Sequence, residues 1–216
     1  MSTFLTSSIG KKLIMSISGL FLIAFLCVHL TLNLLLFAGA DIYNAAAGFM
    51  GSNIIMKIIE PVLGAGFIIH IIYSIILWFQ NQKARPVKYK MVDQSESSTW
   101  SSRNMIVLGI LIVAFLAIHL VNFFYKIKFT DIKVTEYQLV TGMFTQEYWY
   151  IVVIYVVGAI FLGLHLYHAF QSAFQTLGLN NSIWRKRWDV IGLIYSLIIG
   201  LGFAIIPLYF LVKELI

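Results

Sequence analysis

The apolar positions of this chain come in long blocks separated by short polar stretches. A helix needs 18 or more predominantly apolar residues to cross a hydrocarbon core about 30 Å thick. Five blocks reach that length, at roughly 13–38, 54–79, 104–125, 148–174 and 188–212. A backbone in lipid must satisfy its own hydrogen bonds, and blocks this long predict helices rather than barrel strands. The expected fold is therefore an all-α membrane protein, a bundle of five transmembrane helices forming a single domain over residues 1–216. The connections "GADIYNAAAGFMGSN", "NQKARPVKYKMVDQSESSTWSSR", "KIKFTDIKVTEYQLVTGMFTQE" and "LGLNNSIWRKRW" read as polar loops. None is long enough to suggest a second, soluble domain, and no internal repeat or low-complexity tract is evident.

Composition agrees with this pattern. Hydrophobic residues make up 60% of the chain and charged residues 11%, against about a half and a quarter in soluble domains. The net charge of +6 could suggest nucleic acid, but the cations cluster in the short loops, where they act as topology signals, and no nucleic-acid partner is expected. Lys11, Lys12, Lys83, Arg85, Lys88, Lys90, Arg103, Arg185, Lys186 and Arg187 fall on one side. Lys57, Lys126, Lys128, Lys133 and Lys213 fall on the other, partly offset by Asp41, Asp131, Glu136 and Glu147. The richer side is expected to be cytoplasmic, placing the N-terminus inside and the C-terminus outside. The first apolar block lacks a clean small-residue cleavage site and reads as a retained span rather than a signal peptide. The single cysteine, Cys27, excludes a disulfide framework and Cys-based zinc or iron–sulfur sites, and no CxxCH motif is present for covalent haem attachment.

All five histidines lie in predicted spans: His29, His70 and His119 in the first three, His165 and His168 in the fourth. Ionisable side chains at membrane depth are rare and usually functional. Counting along each helix from its loop puts His29 and His119 in the outer half, and His70 and His165 in the inner half. The two levels are about 10–15 Å apart at 1.5 Å per residue. Neutral imidazole binds zinc, copper, nickel and iron, and a tetrahedral zinc site needs three or four ligands at one depth. Two imidazoles per level suit the axial positions of a haem iron, and facing helices of a bundle are where such cofactors lodge. The pattern thus predicts two haem b groups, with His29 and His119 on the outer and His70 and His165 on the inner. His168 lies about 4.5 Å nearer the cytoplasm than His165 and is read as its hydrogen-bonding neighbour. Asn33, Asn122 and Arg103 are candidates for supporting contacts, with interhelical hydrogen bonding the competing role for the two asparagines. Gly66 and Gly158 either admit a flat ring or serve ordinary helix packing. Glu60, followed by Pro61, is the one carboxylate clearly within a span. It is a candidate for proton exchange near the outer level or, alternatively, an acid complementing the helix N-terminus.

Several stretches carry a family resemblance. "SISGLFLIAFLCVHLTLN", "NQKARPV", "SSTWSSRNM", "IHLVNFFYKIKF" and "LGLHLYHAFQSAFQTLGLN" together resemble the dihaem cytochrome b membrane-anchor subunit of succinate dehydrogenase/fumarate reductase, over nearly the whole chain. The resemblance implies five helices and two b haems, paired as the depths pair them, and it favours His165 over His168 as ligand. It implies a flavoprotein subunit carrying FAD and an iron–sulfur subunit docked on the cytoplasmic face, and a quinone, menaquinone by preference, as substrate. It also implies a bacterial cytoplasmic (inner) membrane location, and it leaves room for a higher oligomer of the complex. The succinate chemistry itself would lie in the partners, because this chain has no cysteine clusters or nucleotide motifs. Gly163 stands two positions before His165, so no carboxylate accompanies that ligand to relay protons. Alternative readings are a cytochrome b subunit of a hydrogenase or formate dehydrogenase, a transporter lined by paired histidines, and an anchor without cofactor.

Overall fold

The computed structural model describes residues 7–84 and 100–216. Arg85, Lys88 and Lys90, with most of the loop that contains them, lie outside the described residues. Every regular element among the described residues is helical. In chain order they are α1 (Ser8–Leu34), a 3-10 turn (Leu35–Ala38), α2 (Ala40–Ser52), α3 (Ile54–Lys83), α4 (Trp100–Arg103) and α5 (Met105–His119). A π-helical segment (Leu120–Tyr125) then leads into α6 (Lys126–Phe129), followed by α7 (Glu136–Thr141), α8 (Trp149–Thr176) and α9 (Ser182–Leu215).

Five continuous stretches are long and apolar enough to cross a membrane: Ser8–Ala38, Ile54–Lys83, Met105–Phe129, Trp149–Thr176 and Ser182–Leu215. Each contains one of the five expected spans nearly whole. They overrun the apolar blocks because polar residues at each end are capped rather than left to unwind. Ser7 Oγ accepts from Gly10 N at 3.0 Å to start α1, and Asn53 Oδ1 accepts from Ile55 N at 2.8 Å to start α3. Asn181 Oδ1 accepts from both Ile183 N and Trp184 N, which moves the start of α9 back to Ser182. Each cap satisfies amides that a helix leaves without an internal partner. Gly178, at φ +76°, adopts the left-handed conformation that ends α8 and lets the chain turn.

Two loops hold more structure than their polarity suggests. "GADIYNAAAGFMGSN" forms α2, and "TEYQLVT" forms α7, which opens on a reciprocal cap between Thr135 and Gln138. They meet at one end of the bundle, where Asn44 Oδ1 accepts from Tyr137 N at 3.0 Å and Tyr43 lies 6.1 Å from Tyr137.

The core lies around α8 and α9. Val152, Tyr155, Leu166 and Phe170 of α8 bury against Ile199, Ile206 and Phe210 of α9, with Leu30 and Leu36 from the first span. The α8–α9 seam is made by small residues. A Cβ on Gly163 would stand 3.3 Å from Ser196 O, and one on Gly200 would stand 3.3 Å from Ala159 O. Where lipid removes the hydrophobic drive between helices, such close backbone approach supplies the packing.

By contrast, α3 has no buried residue. Ile58, Ile68 and Ile72 on α3, Ile110 on α5 and Ile198 and Leu201 on α9 are all exposed. Apolar surface of this extent is untenable in water and natural in hydrocarbon. The protein is a multi-pass membrane protein of five apolar helices.

Candidate functional site: two histidine pairs at two depths

The packing order places the histidines. α3 packs on α1, α5 packs on α8, and α1 and α8 pack on each other. Neither α1 with α5 nor α3 with α8 makes a substantial backbone approach. It is across these two wide diagonals that the histidines meet. His29 of α1 and His119 of α5 have ring centres 5.8 Å apart and planes at 90°. His70 of α3 and His165 of α8 have ring centres 6.5 Å apart and planes at 70°.

The levels are visible on two helices independently. A Cβ on Gly19 would stand 3.3 Å from His70 Cε1, so His70 sits beside Gly19, and His29 lies ten residues farther along α1. On α8, Tyr155 lies 6.1 Å from His119, and His165 comes ten residues later. Both intervals correspond to about 15 Å of helix.

Could one iron sit between each pair? An imidazole nitrogen binds a metal at about 2.0–2.1 Å and lies roughly 1.1 Å from its own ring centre, so two rings in trans have centres roughly 6.3 Å apart. The observed separations, 5.8 and 6.5 Å, bracket that value. An edge-to-face ring contact spans the same range, so distance alone does not decide. Two further observations favour a bound group. The helices bearing each pair stand apart, and His165 Nδ1 is buried without a hydrogen-bond partner among the described residues. A buried polar atom in that condition costs about 1–3 kcal/mol. Among the described residues no three of His, Cys, Asp or Glu converge, so the donor set is two imidazoles per site, which suits a macrocycle that brings the iron's other ligands with it.

The two pairs have different surroundings. His70 Nδ1 lies 3.3 Å from Ser18 Oγ, and that hydroxyl donates its proton to Met15 O at 3.0 Å. With the hydroxyl proton so placed, the ring's Nδ1–H is the donor and Nε2 keeps its lone pair for a ligand. Ser18 and the Met15 carbonyl together favour the tautomer protonated on Nδ1. The His29–His119 pair sits in an aromatic shell. Phe25 stacks on His29 at 5.1 Å, Phe203 approaches it at 5.5 Å, and Phe115, Phe123 and Tyr155 surround His119 at 5.4–6.1 Å.

The remaining candidates separate. It is His165, not His168, that faces His70; His168 is half-buried one turn nearer the end of α8. Asn122, in the π-helical segment, donates to Tyr155 Oη at 3.2 Å and so fixes a ring that borders His119. Asn33 donates to His29 O at 2.8 Å, a bond within its own helix rather than to a ring or a neighbouring helix. Arg103 closes the short α4 at the end of the bundle that holds the N-terminus. Glu60 accepts from Lys128 Nζ at 2.7 Å, a partner that neither earlier reading of Glu60 included. Gly66 and Gly158 serve packing. A Cβ on Gly66 would meet Phe21 at 2.8 Å, and one on Gly158 would meet Phe115 at 2.5 Å, so both gaps are filled by phenylalanine rings. Sequence reasoning missed Ser18, Gly19 and Tyr155. The small pair in "SISGL", inside an otherwise bulky apolar run, is the signal that could have pointed to the first two.

Comparison with models of protein families, with curated proteins and with solved structures finds no match for this chain.

Proposed function

We propose that this chain is the membrane-anchor and electron-transfer subunit of a succinate:quinone oxidoreductase, holding two b haems through His29 with His119 and His70 with His165. The observation that carries the reading is the two crossing histidine pairs, each joining helices that otherwise stand apart. The assignment to succinate dehydrogenase/fumarate reductase rests on the motif resemblance given above.

Bound haem supplies one-electron redox chemistry at each level. The chain's own residues bind and orient. Ser18 holds His70 in one tautomer, Asn122 steadies Tyr155 against His119, and the Phe25–Phe203–Phe115 shell keeps water from the outer pair. On this reading the flavoprotein and iron–sulfur subunits dock at the cytoplasmic end, beside the inner pair, in a bacterial inner membrane. Quinone, menaquinone by preference, reacts near the outer pair, where Glu60 with Lys128 offers a group for proton exchange.

The test is haem stoichiometry together with reducibility. Pyridine haemochrome analysis of the purified chain should give about two b haems per polypeptide, and succinate should reduce them in the assembled complex. A colourless preparation removes the haem reading. Two haems that succinate cannot reduce in the complex would keep the haems and remove the succinate assignment.

A further inference from the structure

The α8–α9 turn carries a feature that electron transfer does not use. Arg185, Lys186 and Arg187 are exposed in the second turn of α9, where the helix macrodipole disfavours cations. Among the described residues none of the three is in an ion pair. They are held at a defined height. Phe174 stacks on Trp188 at 3.9 Å and 7°, Trp188 stacks on Trp184 at 5.2 Å, and the Arg187 guanidinium lies 4.9 Å over the Trp184 ring. Trp188 Nε1 also donates to Leu179 O at 2.9 Å, tying the stack to the turn. Paired tryptophans at a helix end mark headgroup level.

Below the stack, Lys186 and Arg187 border an open, apolar patch that they form with Val190 and Ile191. These four share one face of α9, because positions four apart overlie one another. The face continues through Ile194, Ile198, Leu201 and Ile205, all exposed. From Val190 to Ile205 is about 22 Å of helix, more than half the thickness of a hydrocarbon core about 30 Å across. Cations meant only to set topology could sit anywhere in the loop. Here two of them head a continuous exposed apolar face of one helix, directly beneath a tryptophan stack.

We infer that this face of α9 is a binding site for an anionic phospholipid, with the headgroup phosphate on Lys186 and Arg187 and an acyl chain along Val190, Ile191 and the isoleucine track below. A phosphate there offsets both the uncompensated cations and the positive end of the helix. A free anion would have no use for the apolar wall, and a soluble acidic protein would not reach down the track.

The inference does not depend on haem, and a haem-free preparation tests it equally. The full-length chain in mild detergent is given phosphatidylglycerol or phosphatidylcholine of identical acyl chains, and bound lipid is counted by native mass spectrometry. A basic side chain near the headgroups contributes about fivefold in affinity, so two should give phosphatidylglycerol an advantage of about twenty-fivefold. Lys186→Gln with Arg187→Gln should abolish most of that advantage, while Lys11→Gln with Lys12→Gln, removing equal charge at the same end, should keep it. Equal losses in the two double variants would overturn the site in favour of general charge attraction. Displacement of the lipid by glycerol phosphate at matched concentration would also overturn it, making the patch a free-anion site. Unchanged lipid preference in the Lys186→Gln, Arg187→Gln variant, with loss of co-purifying soluble subunits, would assign the patch to protein docking instead.

Discussion

Lys128 Nζ stands 2.7 Å from Glu60 Oε2, joining α6 to α3 at the end of the bundle opposite the N-terminus. The two helices share no other hydrogen bond among the described residues, and the pair is partly open, at 37% and 40% side-chain exposure. Exposed ion pairs contribute about 0–1 kcal/mol. Glu60→Gln should therefore lower thermal stability in detergent only slightly, and less at high salt than at low. If Glu60 also exchanges protons with quinone, the same variant loses quinone-linked turnover while haem content and succinate reduction of a soluble dye persist. Full quinone turnover would leave Glu60 as a tether alone.

Single histidine replacements should sort by diagonal, not by neighbouring helix. His29→Ala and His119→Ala are expected to remove one and the same haem, and His70→Ala and His165→Ala the other, each taking the haemochrome yield from about two to about one per chain. Redox titration of the remaining haem identifies which was lost. If His29→Ala and His70→Ala gave the same residual spectrum, the pairing across the bundle would be wrong.

His168→Ala should keep both haems. His165 faces His70 at 6.5 Å, and a neighbouring imidazole tunes a haem through its surroundings without holding the iron. The expected change is a shift in the midpoint potential of the inner haem. Loss of that haem in His168→Ala, with retention in His165→Ala, would reverse the two roles.

Gly158→Ala should be costlier than an ordinary helix glycine replacement. The new Cβ would meet Phe115 at 2.5 Å, and Phe115 lies one turn before His119 on α5. Overpacking of this kind costs about 1–3 kcal/mol, and it pushes α5 away from α8. Thermal unfolding in detergent measures the loss. Replacing Phe115 with a smaller side chain in the same molecule should recover part of it. A neutral Gly158→Ala would show that α5 adjusts freely.

High pH should loosen the contact between α2 and α7. Burial, and secondarily the Glu136 carboxylate, push the Tyr43 phenol up to about 12, from an ordinary value of about 10. The folded state thus holds this proton more tightly than the unfolded state. The stabilisation is complete below pH about 10 and is lost as pH rises through about 12. Phenolate absorbance should show a component that titrates well above pH 10 and that shrinks by one tyrosine in Tyr43→Phe. Titration of every tyrosine together near pH 10 would contradict this.

Much of the frame was legible because membrane physics writes it in block lengths. Five long apolar runs admit few alternatives, and counting 1.5 Å per residue along a helix gives the interval between two histidines on it. Less legible was whatever depended on neighbours. "GADIYNAAAGFMGSN" looks like a loop because its alanines and glycines carry no strong apolar stripe, yet α2 forms there against α7 and the end of α1. Gly66 and Gly158 advertise space without saying what fills it, and the answer is Phe21 and Phe115 from other helices. Ser18 is an unremarkable hydroxyl until α3 brings His70 beside it. The π-helical turn after His119 has no composition of its own to announce it.

The glycine contact between α8 and α9 bears on the order in which the chain can take shape during synthesis. Spans enter the bilayer one after another, and helices associate once inserted. α8 carries His165 and borders α1 and α5, yet its most extensive partner is α9, the last span to be made. Earlier spans can occupy the bilayer, but α8 reaches its final seat only when Gly200 arrives against Gly163. The segment that bears no histidine is therefore the one whose arrival completes the geometry of all four.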